Sequence, residues 1–335
     1  MPIAAAYMVP HPPMIIPQIG KGSENQIRKT IESYEAVAAE IAEIRPETII
    51  ITSPHAVMYA DYFHISPGEK AEGDFGQFRA QGVRFRETYD AGLVNAVCAL
   101  AKAKNFPAGT LGERDRRLDH GTMVPLYFIE QKYRDFRLVR IGLSGLSLMD
   151  HYAFGQIIRQ AAEETGRKAV LVASGDLSHK LQPYGPYGFA KEGPEYDRRI
   201  MDTAGRADFG EMLAFDETFC EKAAECGHRS FVIMAGALGD ACGSKSILPR
   251  GRDRRRIRNL FLPSSGAGCK QKIPGTVPVR AGGADPAAAQ RRGSLRPACE
   301  GNGGKLCYRA EEAGGAGLGG CGNEAGPRRR VCLHS

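Results

Sequence analysis

Four histidines of this chain stand where a strand is predicted to end or a short loop to begin. They are His11, His55, His120 and His179. A single histidine in such a place is as often structural as functional. Several of them at the ends of neighbouring parallel strands would meet at one edge of a sheet. Two neutral imidazoles and one carboxylate hold non-haem Fe(II), and a further histidine can act there as an acid or base.

The segment 170–179 is the centre of this pattern. Its four apolar residues VLVA run directly into a Ser-Gly-Asp turn, which brings Asp176, Ser178 and His179. A continuous apolar run closed by glycine and aspartate predicts a buried strand of a parallel sheet. Ligands of open α/β sheets bind beyond the carboxyl ends of the strands, so these polar residues are candidates for chemistry. The alternative is an ordinary strand-to-helix turn with Asp176 as the cap.

Two other predicted strands show a common arrangement of strand, proline and histidine. Residues 3–9 end in the letters PHPP, which contain His11, and residues 48–52 end in SPH, which contains His55. The prolines stop each strand and stiffen the loop. Between the two strands, helical spacing predicts a helix that Ser23 caps and Pro46 ends.

The rest of the pattern alternates strands with helices. Strands are predicted at 62–66, 136–141 and 168–173, an edge hairpin at 74–85, and helices at 93–103, 126–131, 152–164, 195–203, 209–215 and 231–238. His64 alternates with apolar neighbours and is interpreted as structural, whereas His120 is placed in a loop before the helix at 126. This alternation predicts an α/β fold with a mostly parallel central sheet flanked by helices.

Charge divides the chain near residue 240. Residues 1–240 carry a net charge of −5 and residues 241–335 a net charge of +12, which together make the +7 of the chain. Nucleic-acid binding by the first part therefore has no electrostatic support. No apolar run approaches the ~20 residues that cross a bilayer. The start lacks the features of a signal peptide, so we expect a cytoplasmic protein with free thiols.

Four motifs, in order, carry a resemblance to a known family. They are PHPPMIIP, SPHA, LDHGTMVPLYF and SGDLSHKL, and they lie within residues 3–240. The sequence resembles the LigB superfamily of class III extradiol ring-cleaving dioxygenases. The branch it resembles most is the one related to Memo proteins, which often occurs with AMMECR-type domains and radical-SAM proteins. The resemblance implies a LigB-like domain over residues 1–240, with proteins of the radical-SAM/AMMECR system and a second copy of the chain as expected partners.

The resemblance also implies a metal site. It makes His11 and His55 ligands, with Glu225 as the third ligand, or Cys226 where the Memo-like pattern holds. The implied cofactor is Fe(II), and copper and zinc are the alternatives. A cysteine ligand would weaken the case for ring cleavage, because a thiolate suits copper or a different redox chemistry.

The implied catalytic residues surround this metal site. His179 would be the catalytic histidine outside the metal ligands, His120 another active-site histidine, and Asp176 the residue that orients them. The implied reaction opens a catecholic ring beside its diol with O₂. The alternative is a Memo-like metal protein that acts as a redox or partner-binding module without ring cleavage.

Residues 241–335 depart from this pattern, since they are rich in glycine and arginine and contain Phe261 and Tyr308 as their only aromatic residues. One interpretation is a basic, low-complexity disordered tail, which would bind nucleic acid only if the arginine-rich segment were genuine. The other is a lost reading frame. Codons can be chosen so that the next frame of residues 247–262 gives SYHEGVTGVGYGICSF, similar to closing strands of LigB-like domains. The same shift at 326–333 gives ARAGVFAS, similar to an AMMECR-domain motif. A sheet without its last strands would expose a bare edge.

Overall fold

The structure is a computed structural model, and it describes residues 2–239, 245–246, 260–263, 300–301 and 305–306. The strands are β1 (Ile3–Val9), β2 (Thr48–Ser53), β3 (Phe63–His64), β4 (Lys70–Phe75), β5 (Ala80–Thr88), β6 (Ala108–Gly109), β7 (Arg137–Gly142), β8 (Ala169–Ser174), β9 (Lys245–Ser246), β10 (Leu260–Pro263), β11 (Glu300–Gly301) and β12 (Lys305–Leu306). The α-helices are α1 (Pro17–Gly20), α2 (Arg28–Ile44), α3 (Ala91–Ala103), α4 (His120–Ile129), α5 (Leu148–Glu164), α6 (Glu192–Gly205), α7 (Phe209–Leu213), α8 (Glu217–Ala223) and α9 (His228–Leu238). Short 3₁₀ helices cover Pro13–Ile15, Ser23–Ile27 and Gly76–Phe78.

The chain divides into two compact units, Met1–Val279 and Arg280–Ser335. A six-stranded sheet in the order β7-β2-β8-β1-β10-β9 is the centre of the first unit. β7, β2, β8 and β1 run parallel, and their residues are buried almost throughout, as continuous apolar strands require. The prediction of an α/β fold with a mostly parallel sheet is confirmed. In the second unit, β11 pairs antiparallel with β12.

The far edge of the sheet differs from the expectation. β10 pairs antiparallel with β1, and β9 pairs with β10. The edge of β1 that was expected to be unpaired therefore has a partner strand among the described residues. The expectation of a bare edge there is therefore wrong. The predictions of a disordered tail and of a changed reading frame concern sequence that lies largely outside the described residues.

Helices cover both faces of the parallel strands. On one face α5 packs against α9, and their backbones approach closely: a Cβ atom on Gly155 would lie 2.0 Å from Ile233 O. On the other face α2 packs against α4, where the rings of Tyr34 and Phe128 stack with centroids 4.4 Å apart. Each face buries its own apolar cluster, which fixes the sheet between two helical layers.

Several local predictions are wrong. Helix α4 begins at His120 rather than at residue 126, because Asp119 caps it and Pro125 is accommodated inside the helix. Ser23 caps no helix; it begins a 3₁₀ turn that precedes α2. The strand at 62–66 is reduced to β3, which pairs with β6 in a separate small sheet. The sequence patterns also give no indication of α8.

Candidate metal centre and its acid–base neighbours

Three adjacent strands bring polar side chains to the carboxyl edge of the sheet. β1, β8 and β2 lie side by side. His11 is the second residue after the end of β1, Asp176 the second after β8, and His55 the second after β2. The loop after β1 is tied to that after β8, since the backbone N–H of His11 donates to Asp176 Oδ1 at 2.8 Å. The Tyr34 hydroxyl, from α2, donates to Pro10 O and holds the same loop from the other side.

His11, His55 and Cys226 form a convergent group, since one ligand atom of each lies within 4.8 Å of the others. His11 Nε2 lies 3.0 Å from His55 Nε2 and 3.6 Å from Cys226 Sγ. Metal–nitrogen bonds of about 2.1 Å meeting at a right angle put two nitrogens ~3.0 Å apart. A nitrogen and a sulfur (about 2.3 Å from the metal) at a tetrahedral angle lie ~3.6 Å apart. The two distances from His11 are thus those expected when one transition-metal ion is bound by all three residues.

Cys226 reaches this group because two loops touch through their backbones. A Cβ atom on Gly175 would lie 2.1 Å from Gly227 Cα, so the loop after β8 and the loop before α9 meet without side chains between them. The backbone N–H of Asp176 contacts Cys226 Sγ at 3.2 Å, and the N–H of Cys226 donates to Asp176 O at 3.3 Å. Burial raises the pKa of the Cys226 thiol well above its usual value, so a thiolate at this place requires a cation beside it.

Glu225 is turned away from the convergent group. Its Oε2 accepts the backbone N–H of His228, at the start of α9, at 2.5 Å. Burial raises the pKa of this carboxyl to about 7. Among the described residues, neither group that could hold a metal includes Glu225. Of the two third-ligand candidates, the structure brings Cys226 to the histidines.

Burial favours the neutral form of three imidazoles at the site, those of His11, His55 and His120. Burial lowers the pKa of His11, His55 and His120 to about 4 in each case. A metal binds the neutral imidazole, so no proton has to leave these rings first. His120 is the first residue of α4, and its ring lies against that of His55 with centroids 4.0 Å apart. The centroid of the Phe78 ring lies 5.5 Å from that of His120.

His179 and Asp176 form a pair beside the convergent group. His179 Nε2 lies 3.5 Å from Asp176 Oδ2, and His179 Nδ1 donates to Ala224 O at 2.6 Å. Burial alone would lower the pKa of His179, but Asp176 more than offsets this and raises it above its usual value. Conversely, burial would raise the pKa of Asp176, but His11 and His179 hold it well below its usual value. The Asp176 carboxylate therefore favours the protonated form of His179.

A second convergent group shares one member with the first. Asp176, His179 and Cys226 also lie with their ligand atoms within 4.8 Å of one another. Asp176 Oδ2 also lies 3.9 Å from His11 Nε2, so the two groups adjoin. The Tyr187 ring lies 5.0 Å from that of His179, so an aromatic residue stands beside this histidine as Phe78 stands beside His120.

The comparisons with known proteins decide the family. The family model described as the catalytic LigB subunit of aromatic ring-opening dioxygenase matches residues 5–251. The chain belongs to the LigB family. The described helices of this LigB protein include none that is both long and apolar enough to cross a membrane.

The proteins that are similar in sequence to this LigB chain do not share one name. A protein of Clostridium acetobutylicum, whose name states no function, is 35% identical over 246 residues, which cover 71% of this chain and 52% of that protein. The 2-aminophenol 1,6-dioxygenase beta subunit of a Pseudomonas species is 25% identical over 263 residues, 70% of this chain and 85% of the subunit. A MEMO1 family protein of Methanosarcina mazei is 26% identical over 167 residues, 49% of this chain and 59% of that protein. This chain thus spans about half the length of the Clostridium protein.

A solved structure supports the fold alone. An uncharacterized protein of Escherichia coli K12 superposes with a TM-score of 0.50 at 14% identity, covering 77% of this LigB chain and 98% of that chain. The resemblance to the LigB superfamily and to Memo-like proteins, predicted from four motifs, is confirmed by these relatives. No AMMECR-type domain is identified by them.

The motifs did not single out every polar residue at the site. Ser174 contacts His11, and Asp119 holds the serine that precedes His55 in its loop. Both residues belong to the quoted motifs, but nothing in their type distinguishes them from a strand-end serine and a helix cap. Arg140, which pairs with Asp119, lies within a predicted strand where an apolar residue is the usual choice, and that mismatch is a usable signal.

Proposed function

We propose that this LigB-family chain binds one transition-metal ion between His11, His55 and Cys226 and uses it in an oxygen-dependent reaction of a small aromatic diol. The observation that carries the proposal is the convergence of two imidazole nitrogens and one thiol sulfur at distances that suit a single ion. Fe(II) is the first candidate, since the family description names aromatic ring-opening dioxygenases. Copper and zinc are alternatives, because a thiolate ligand also suits them.

The bound ion would supply Lewis acidity and, if it is iron, redox chemistry with O₂. Proton movement falls to the chain itself. We assign His179 to this role, because its Nε2 lies beside Asp176 and can exchange a proton with a substrate hydroxyl, while Nδ1 remains fixed on Ala224 O. His120 lies against His55. Phe78 and Tyr187 supply aromatic walls of the kind that a planar ring packs against.

A second candidate function is favoured by the identity of the third donor. Two histidines with a carboxylate are the ligands of non-haem Fe(II) oxygenases, and here a thiol stands where that carboxylate is expected. A Memo-like metal protein without ring cleavage, acting in redox chemistry or in partner binding, would account for Cys226. The MEMO1 family relatives support this candidate as much as the dioxygenase subunit supports the first.

Metal content and oxygen consumption separate the two candidates. The full-length chain is loaded anaerobically with Fe(II), Cu(I) or Zn(II), its metal stoichiometry is measured, and O₂ uptake is followed with a panel of catechols and 2-aminophenols. Ring cleavage predicts one O₂ consumed per diol lost, with no uptake by Cys226→Ala or His55→Ala. Stoichiometric metal binding without O₂ uptake on any member of the panel would favour the second candidate. Failure to bind any of the three metals would reject both.

A further inference from the structure

Helix α4 contains a proline at its sixth position, and this leaves one carbonyl without its regular partner. In an α-helix the N–H of residue 125 would donate to the carbonyl of residue 121, but Pro125 has no N–H. The carbonyl of Gly121 is satisfied from outside the helix. The hydroxyl of Ser174, the fully buried last residue of β8, donates to it at 2.6 Å.

This hydrogen bond determines what Ser174 can offer to His11. Because the hydroxyl hydrogen of Ser174 is directed at Gly121 O, its oxygen faces His11 Nδ1 at 3.0 Å as an acceptor. His11 must then carry its proton on Nδ1. The lone pair is left on Nε2, the atom that faces His55 Nε2 and Cys226 Sγ. A metal ligand needs this tautomer, and the partner of the other ring nitrogen sets it.

The same helical turn also holds the loop of His55. Asp119 caps α4 by accepting the N–H of Thr122, and its Oδ1 also accepts the hydroxyl of Ser53 at 2.5 Å. The Ser53 oxygen in turn accepts the backbone N–H of His55 at 3.2 Å. The helix lies so close that a Cβ atom on Gly121 would meet Ser53 Oγ at 2.4 Å and His55 Cδ2 at 3.3 Å. The buried guanidinium of Arg140 lies 3.2 Å from Asp119 and balances its charge.

We propose that the first turn of α4 positions both histidines: through Gly121 O and Ser174 it sets the tautomer of His11, and through Asp119 and Ser53 it sets the loop of His55. Ser174 and Asp119 are thus positioning residues, and Pro125 frees the carbonyl that Ser174 uses. The inference rests on the proposed metal site, but it makes statements about the metal-free protein that are tested separately.

The tautomer of His11 is measured directly in the wild-type chain. Histidine-selective ¹⁵N NMR of the metal-free protein at neutral pH, with the His11 signals assigned through His11→Gln, distinguishes an Nδ1-bound proton from an Nε2-bound one. We expect the Nδ1–H form. Observation of the Nε2–H form in the wild type would overturn the proposal without any other variant.

Ser174→Ala tests the first connection, and Ser33→Ala is its matched control. Ser33 is equally buried and donates its hydroxyl to a backbone carbonyl, that of Lys29, at 2.8 Å within α2. Loss of an outer partner of a metal-binding histidine typically weakens metal binding 10–100-fold. We expect this weakening for Fe(II) and Co(II), together with a mixture of His11 tautomers, in Ser174→Ala only. Equal metal affinity and an unchanged tautomer in the two variants would contradict the proposal.

Asp119→Asn tests the second connection, and Asp90→Asn is its matched control. Asp90 caps α3, accepts a hydroxyl from Thr48 at 2.5 Å and pairs with Arg167 at 3.2 Å, but it lies at the other end of β2. Both variants should lose stability, whereas only Asp119→Asn should weaken Co(II) binding when measured well below its unfolding temperature. Equal weakening in both would assign Asp119 a structural role alone. If the wild type binds no metal, the proposed function fails, while the tautomer measurement still decides the role of Ser174.

Discussion

The two ends of strand β2 carry closely similar sets of polar groups, and only the carboxyl end leads into the candidate metal centre. At the amino end the Thr48 hydroxyl donates to Asp90, which caps α3 and pairs with Arg167. At the carboxyl end the Ser53 hydroxyl donates to Asp119, which caps α4 and pairs with Arg140. In both sets a hydroxyl, a helix-capping carboxylate and a guanidinium meet within 3.2 Å.

The difference lies in what surrounds the two sets. The amino end opens onto a groove of about 1020 Å³ lined largely by charged residues, and the Arg167 side chain is 32% exposed there. At the carboxyl end the side chain of Arg140 is 2% exposed, and the chain continues into His55, which faces His11. A buried aspartate–arginine pair is therefore not itself a mark of function. What distinguishes the carboxyl end is a group of uncharged metal-ligand atoms that face one another, because only a cation can bind all of them together.

The strongest test of this difference removes one donor. His11→Ala or His55→Ala should abolish stoichiometric metal binding while leaving the fold largely intact, since each supplies one of three convergent ligand atoms. His64→Gln is the control, because His64 is also fully buried but bonds to Leu111 O and Glu113 away from the group. Metal analysis after anaerobic loading is the measurement. Full occupancy in the alanine variants would remove His11 and His55 from the ligand set.

The next test concerns the proton rather than the metal. His179→Gln should keep metal affinity and substrate affinity but lose about 10²–10⁴-fold in turnover, which is the usual contribution of a positioned acid–base residue. The expectation follows from the place of His179 beside Asp176, with Nδ1 held by Ala224 O. Metal titration and O₂ uptake with an established substrate are measured on the same sample. Loss of metal from this variant would instead make His179 a ligand.

A third test compares the two arginines. Arg140→Met leaves the Asp119 carboxylate buried without its charge partner, so we expect a loss of about 3–5 kcal/mol in the free energy of unfolding. Arg167→Met should cost less, because the Arg167 side chain is 32% exposed and water can replace it beside the buried Asp90 carboxylate. Urea denaturation of both variants gives the two values. Similar losses would show that the two ends of β2 do not differ in solvent access.

The smallest expected effect lies at the other end of α4, where Glu130 is the C-terminal cap residue. Burial, with Glu87 adding to it, raises the pKa of Glu130 to about 8. The folded protein therefore retains a proton that the unfolded chain releases near its ordinary value. Stability from this group is complete at acidic pH and falls as the pH rises towards 8. Glu130→Gln should flatten this part of the stability–pH profile, measured by thermal unfolding between pH 5 and 9 (roughly the interval that separates the two pKa values). An unchanged profile would argue against the raised pKa of Glu130.

The sequence predicts the sheet and the place of the site better than its details. Parallel strands meet at one edge, so residues just beyond three of them, His11, His55 and Asp176, can be placed together from strand ends alone. The position of His120 was not predictable in this way, because Pro125 suggests a helix boundary, and the cap that overrides it is visible only in the contacts of Asp119. Proline inside a helix is uncommon, so the pattern favours the wrong start.

The choice between the two candidates for the third metal ligand could not be predicted from the sequence, for a different reason. Glu225 and Cys226 are adjacent, and the family resemblance alone leaves both open. Their directions depend on an irregular loop in which Ala224 has a left-handed φ of 52°. No periodicity extends through such a loop, so spacing cannot decide which side chain turns inward. The roles of both residues in metal binding stay predictions until metal content is measured.

The contact between Gly175 and Gly227 separates where the third donor stands from what that donor is. The close approach of two backbones sets the location of residue 226, and the Cys226 thiol adds a contact with the N–H of Asp176. The type of side chain at residue 226 can therefore be changed by substitution, whereas its position depends on the two glycines. Cys226→Asp would turn the group into two histidines and a carboxylate on an unaltered main chain, whereas any side chain at Gly175 would force the two loops apart. We therefore expect the proposed metal preference to change with this one substitution, provided that both glycines remain.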